Sequence, residues 1–174
     1  RSADADSSAD NGTAYMEAMG IDLGMGPAPG SEAEAAAVRR LRQFFGELTP
    51  EGVPRMARDV YAPDAFFNDT LKTLRGADAI EEYFLHTAEN AGSVQVEFRQ
   101  VSRSGDDFYL RWRMTMRIDA LADGEPLVSW GMTHFRFDDD GRVVLHQDFW
   151  DSAGGLYEYM PVIGGLLRAI RARF

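Results

Sequence analysis

Two residues near the end of "FRFDDDGRVVLHQDFWD", residues 135 to 151, have the types that move protons: His146 and Asp148. Their spacing of two places both on one face if this stretch is a strand. A carboxylate between Leu145 and Trp150 is costly to bury unless it is paired, so Asp148 either faces solvent or has work to do in a pocket. The neighbouring imidazole would make either a structural pair with it or an acid/base couple. Asp69 in "FFNDT" is the second candidate. Phe66 and Phe67 beside it would desolvate a general base and raise its pKa, whereas an Asn-Asp pair closing a short strand is also ordinary turn chemistry.

The elements that must position these groups follow from periodicity. Ser31 with Glu34 forms a capping box for a helix carrying Val38, Leu41, Phe44, Phe45 and Leu48 at helical spacing. Residues 49 to 61 read as a second short helix, with Pro50 and Pro54 tolerable only near its start. "DAFFNDT" is a short strand, "LKTLRG" its return, and "GADAIEEYFLHTAENA" a third amphipathic helix. After Ala91 the period changes to two, giving four strands in "SVQVEFRQV", "DFYLRWRMTMRID", "PLVSWGMTHFRFD" and "GRVVLHQDFW". In the second of these Phe108, Leu110, Trp112, Met114, Met116 and Ile118 share one face, and Tyr109, Arg111, Arg113, Thr115 and Arg117 share the other. Helices first and a meander of long strands afterwards is α+β architecture, a bent and mostly antiparallel sheet with three helices laid over its apolar face. "GGLYEYMPVIGGLLRAIRARF" resumes helical spacing as a C-terminal extension, residues 152 to 174, with Arg168, Arg171 and Arg173 complementing the helix dipole.

Composition bounds the rest. The chain has 174 residues and is 45% hydrophobic, enough for one domain with a real core. Its 18 basic residues stand against 28 acidic ones, a formal charge of -10 that repels a phosphate backbone, so nucleic acid is excluded as a partner. Without cysteine there is no disulfide framework, thiolate nucleophile or zinc-thiolate site. No apolar run reaches the roughly 18 residues of a membrane span, and a cytoplasmic location is expected. The C-terminal helix, with its three arginines and glycine pairs, is a poor interfacial helix. It is expected to close a pocket mouth or pack on a partner rather than to lie on a membrane. Residues 1 to 30, rich in Ser, Ala, Asp and Gly, are read as a flexible leader with a "YMEAMGIDLGMG" island able to dock locally.

Which face His146 and Asp148 occupy turns on one residue of loop length. A three-residue loop, 139 to 141, places His146 opposite His134 on the arginine side. A four-residue turn, 138 to 141, pairs Phe137 with Arg142 and places His146 opposite Thr133, Asp148 opposite Gly131 and Trp150 opposite Ser129. A slip of one flips every side chain, and local chemistry permits both.

The segments "VYAPDAFFNDT", "LRGADAIEEYF", "LRWRMTM" and "FRFDDDGRVVLHQDFWD", in that order, resemble the nuclear transport factor two-like superfamily, within it the ketosteroid isomerases and SnoaL-like polyketide cyclases. The likeness spans Ser31 to Asp151. It implies a cone-shaped α+β barrel in which helices and a curved sheet enclose a hydrophobic pocket, and it selects the four-residue turn. The pocket so implied is lined by Phe45, Trp112, Met114, Met116, Gly131, Thr133 and Trp150, together with His146 and Asp148. Asp69 stands where ketosteroid isomerases place their general base. The positions of their oxyanion donors read Phe45 and Thr133 here, which argues against steroid isomerisation by that route. SnoaL-like cyclases rely on a single acid/base Asp in the cavity, and Asp148 is placed for that role.

On that register His134 falls on the far side of the sheet as a surface or interface residue, so no three-ligand metal site forms, and neither metal nor cofactor is expected. The arginines of that side pair across strands with Glu97 or the Asp-rich turns, or meet a second copy in a homodimer. The expected ligand is a small hydrophobic molecule. It is either turned over by Asp148 or Asp69 with His146 assisting, or held without chemistry; an interaction module working through the dimer is the remaining reading. Thr133 and Tyr83 are the only groups in sight that could receive charge.

Overall fold

The computed structural model describes residues 11–20, 26–91, 93–118 and 120–173. Four helices and two strands come first: α1 (Asn11–Gly20), α2 (Glu32–Gly46), α3 (Gly52–Val60), β1 (Tyr61–Asn68), β2 (Thr73–Arg75) and α4 (Ala77–Asn90). The long strands β3 (Ser93–Ser104), β4 (Asp107–Arg117), β5 (Leu127–Phe137) and β6 (Val143–Trp150) follow, then a short α5 (Ser152–Gly155) and a C-terminal α6 (Ile163–Arg171). The strands form one six-stranded sheet in the order β2-β1-β6-β5-β4-β3, antiparallel except where β1 runs parallel to β6. The expected α+β class holds, with one refinement: the sheet curves without closing, so β2 and β3 are free edges and the barrel is open.

Local chemistry explains both helices and curvature. Ser31 caps α2 by accepting from the Glu34 amide at 3.1 Å, while the Glu34 carboxylate takes the Gly30 amide at 2.7 Å, a capping box shifted by one residue. Pro63, which has no amide to give the ladder, lies within the irregular stretch between the Tyr61 and Phe66 pairings of β1. Further irregularities fall between Phe98 and Gln100 of β3 and between Arg136 and Phe137 of β5, and such bulges bend and twist a sheet.

The main core lies between the sheet and α2, α3 and α4. Leu41, Phe44 and Phe45 of α2, Val53 and Ala57 of α3, and Ile80 and Phe84 of α4 meet Phe67, Phe108, Leu110, Phe135 and Phe137 of the sheet. This apolar side is the inner face. Within the segment read as a flexible leader, Asn11–Gly20 instead form a helix docked on the outer face, burying Ala18 against Phe66 and Leu145. Residues 1 to 10 and 21 to 25 lie outside the described residues. At the other end α6 leaves Ile163, Leu166 and Ile170 exposed. Among the described residues no helix is long and apolar enough to cross a membrane.

The final hairpin follows neither predicted register. Asp138 donates its amide to the Arg142 carbonyl at 2.8 Å, closing a three-residue loop, and Phe137 pairs with Val143. Arg136 then pairs with Leu145, so Val144 is an extra residue in β6. That bulge restores the inner face that the four-residue turn would have given, with partners displaced by two. His146 stands opposite Phe135, Asp148 opposite Thr133 and Trp150 opposite Gly131.

Candidate active site

At one end of the inner face the packing leaves a cavity of about 280 Å³. Phe45 and Leu48 wall it from the end of α2, and Tyr83, Phe84 and Thr87 from α4. Val94, Val96 and Phe98 of β3, Trp112, Met114 and Met116 of β4, and Phe67, Phe135 and Trp150 complete an apolar lining into which Asp69, Thr133 and Asp148 bring polarity. The alternation of β3 and β4 directs every second side chain here. Among the described residues no Lys, Arg or His lines the cavity.

Asp148 is the end of a buried hydrogen-bond chain. Its Oδ1 accepts from the Thr133 hydroxyl and lies 3.0 Å from Nε2 of His146. The indole of Trp112 donates to Thr133 Oγ1 at 2.8 Å, so the Thr133 proton is free to point at the carboxylate. On its other side His146 Nδ1 lies 2.9 Å from the Tyr61 hydroxyl. Burial drives the Tyr61 pKa well above the ordinary phenol value, with the charges of Asp148 and Asp69 adding to it, so Tyr61 stays a donor. The tautomer that satisfies both partners takes the Tyr61 proton at Nδ1 and gives the Nε2 proton to Asp148. The ring is enclosed by aromatics, with Phe67 at 4.5 Å and Phe135 at 4.6 Å between centroids. Asp148 Oδ2 receives no hydrogen bond from the described residues.

Asp69 both caps a turn and reaches the cavity. Its Oδ1 accepts from the amides of Leu71 at 2.9 Å and Lys72 at 2.8 Å, the turn capping that its sequence position foretold. It also lines the cavity, and Oδ2 accepts from the Tyr83 hydroxyl. Burial raises the Asp69 pKa and the charge of Asp148 pushes the same way, while the Tyr83 and backbone hydrogen bonds pull it partly back. Burial, with the Asp69 charge next, raises Tyr83 and keeps it neutral. Trp150 anchors the turn by donating to the Asp69 carbonyl at 2.8 Å.

The structure thus brings Phe45, Asp69, Trp112, Met114, Met116, Thr133, Asp148 and Trp150 together around the cavity. Two residues are corrected. His146 sits behind Asp148 rather than on the wall. Gly131 is also absent from the lining: a Cβ there would lie 2.3 Å from the Trp112 ring and 2.7 Å from Trp150 Cβ, so the glycine is the notch that admits the indole. Tyr61 was not foreseen. Its sequence signal, an aromatic closing a helix, is indistinguishable from core packing.

His134 is on the outer face as expected but is not a surface residue, being 1% exposed beneath α1. Nδ1 lies 2.8 Å from the Tyr15 hydroxyl and Nε2 lies 2.7 Å from Asp107, which also accepts from Arg136 at 2.6 Å. Among the described residues no group of three His, Asp or Glu side chains could hold a metal ion.

Comparison with known proteins sets this geometry in context. The profile of the SnoaL-like domain matches residues 38–146. Among solved structures, an LEH-like epoxide hydrolase of M. tuberculosis superposes with a TM-score of 0.59 at 19% identity, covering 80% of this chain and 96% of that one. A provisionally assigned SnoaL-like polyketide cyclase from Jannaschia sp. CCS1 gives 0.59 at 17% identity, over 76% of this chain and 99% of that one. A nuclear transport factor two-like protein of unknown function from Exiguobacterium sp. 255-15 gives 0.56 at 18% identity, over 66% and 98%. At these identities the likeness establishes the fold. No curated protein matches the sequence.

Proposed function

The chain belongs to the family of SnoaL-like domains, and on that premise we propose that its cavity binds a small apolar carbonyl compound and moves a proton on it through Asp148, as an isomerase or cyclase would. One observation carries this reading: Asp148 has one oxygen held by Thr133 and His146 and the other without a donor among the described residues, in a mostly apolar wall. The free Oδ2 takes a proton from the carbon next to the carbonyl, the C–H electron pair passes into the enolate, and the same oxygen returns the proton at the same or a conjugated position. His146 and Tyr61 hold the carboxylate in place and touch no substrate. Asp69 shapes the turn at the mouth and adds a second carboxylate. With no cation on the wall, an anionic ligand would meet two carboxylates and nothing to balance them.

The test is exchange of α-protons for deuterium in apolar cyclic ketones, followed by NMR in heavy water, with binding followed through Trp112 and Trp150 fluorescence. Exchange above buffer in the wild type that disappears in Asp148→Asn, with binding retained, is the expected result. Binding without exchange in either protein overturns catalysis and leaves a ligand-binding protein. That second reading has its own support, because the Tyr83 and Thr133 hydroxyls are already committed to carboxylates.

The expected homodimer has a matching surface in Val128, Trp130, Met132 and Phe149, exposed together on the outer face beside α1. Sedimentation at increasing concentration that shows only the monomer mass removes it.

A further inference from the structure

Among the described residues every side-chain hydrogen-bond donor on the cavity wall is already spent. Thr87 donates to the Tyr83 carbonyl at 2.9 Å, Tyr83 to Asp69, and Thr133 to Asp148. The indole of Trp112 goes to Thr133 at 2.8 Å, and that of Trp150 to the Asp69 carbonyl and Thr70 at 2.8 and 2.9 Å. What remains is carboxylate oxygen. Neither Asp69 nor Asp148 forms an ion pair with a Lys or Arg among the described residues. The rest of the wall is mostly aliphatic, aromatic and thioether surface, and its ring faces attract cations. The cavity offers acceptors and negative charge and supplies nothing of the opposite kind.

A neutral ketone fits such a site poorly at the step that matters. Removing its α-proton creates an enolate oxygen, which here would find no donor and would stand near the Asp69 carboxylate. A protonated amine on the same molecule changes the balance. It pairs with the carboxylates before reaction, acidifies the neighbouring C–H, and turns the enolate into a zwitterion without net charge. The proton still passes from carbon to Asp148 Oδ2 and back, so atoms and charges balance without any further reactant.

We propose that the ligand of this cavity is an apolar carbonyl compound bearing a protonated amine, with its ammonium group paired to Asp69 and Asp148 against the aromatic wall. This names the substrate class of the site and rests, for turnover only, on the reading of Asp148 as the base. The raised pKa of Asp69 is what an uncompensated carboxylate shows, and a cationic ligand would relieve it. Affinity for the amine therefore falls as acidification protonates Asp69.

The test is a matched pair of probes, 2-(dimethylamino)cyclohexanone and 2-isopropylcyclohexanone, which share shape and differ in charge. Dissociation constants are measured by calorimetry on the full chain at neutral pH, for the wild type, Asp69→Asn and Asp148→Asn. The amine is expected to bind at least about tenfold more tightly than its neutral analogue, a difference of about 1.4 kcal/mol. The preference should shrink in each variant. Equal or tighter binding of the neutral ketone overturns the proposal, as does a preference untouched by both substitutions. Because the comparison on the wild type needs no variant, a substitution that fails to fold does not remove the test. Deuterium exchange of the neutral ketone is scored separately, so loss of the cationic preference and loss of catalysis are distinct outcomes.

Discussion

The two faces of the sheet carry nearly the same triad. On the inner face Tyr61, His146 and Asp148 form a chain with both imidazole nitrogens occupied; on the outer face Tyr15, His134 and Asp107 do the same. Both histidines are 1% exposed. The difference lies in the fourth member. Asp107 is met by the Arg136 guanidinium, which also donates to the Met19 carbonyl at 2.7 Å and so ties α1 to the sheet. Asp148 is met by a neutral hydroxyl and a cavity. Burial pushes the Asp107 carboxyl up, but the Arg136 and His134 hydrogen bonds and charges outweigh it and hold its pKa below the ordinary value. Identical residue types therefore make a latch where a cation completes them and, on the function proposed above, a proton-transfer site where one is missing.

The largest effect should separate the two carboxylates. Asp148→Asn is expected to lower α-proton exchange by about 10²- to 10⁴-fold, while Asp107→Asn leaves it unchanged. Equal losses in both, measured by the NMR exchange assay, would break the comparison. Stability should divide the other way. Asp107→Asn strands a guanidinium and an imidazole in a partly buried site and should cost about 1–3 kcal/mol in urea unfolding. Gly131→Ala belongs to the inner face and acts by steric pressure on Trp112. It should destabilise by about 1–3 kcal/mol and shift the tryptophan emission.

Acidification sharpens the same contrast. Burial, the largest influence on His134, lowers its pKa against the opposing pull of Asp107. The unfolded chain then binds the extra proton first, so stability from the outer latch falls as pH drops below about 6.5 toward the folded value. Asp107, with its lowered pKa, adds a further loss below about 3.8. Asp69 behaves oppositely: its raised pKa makes the folded state bind the proton more tightly, so its contribution declines as pH rises above about 3.8. Urea midpoints across pH for His134→Gln and Asp69→Asn should each flatten their own limb of the curve. The smallest effect is expected of Tyr15→Phe, which removes one hydrogen bond worth about 0.5–1.5 kcal/mol and should speed amide exchange in α1 alone.

Most of the scaffold was legible because periodicity reports burial directly. The alternation from Phe108 to Ile118 assigns both faces of β4 correctly, and the α2 spacing finds Leu41, Phe44 and Phe45. The hairpin register was not legible, since 143 to 147 are all buried and an unbroken buried run hides the extra residue at Val144. α1 was obscured by composition: Tyr15, Ala18 and Met19 are too few apolar residues to predict docking until their target, the strip of Phe66 and Leu145, exists. His134 was assigned its face by parity and its exposure by default, and α1 alters the second. Asp69 and Asp148 were visible as misplaced charges. Tyr61 was invisible because its role depends on an imidazole 85 positions away.

Val144 has a consequence for how the chain tolerates changes of length. Because the strand alternates, its bulge acts as a parity correction between the loop and the chemistry. Deleting that residue would leave every downstream pairing intact, because Arg136 already faces Leu145; drawing it into the ladder opposite Arg136 would instead exchange the two sides of everything downstream in β6. Gln147 and Phe149 would turn into the cavity, while His146 and Asp148 would emerge beside His134 and Asp107. Most substitutions here remove one group at a time; a one-residue slip of the strand would move the whole end that carries His146 and Asp148 to the wrong side of the protein.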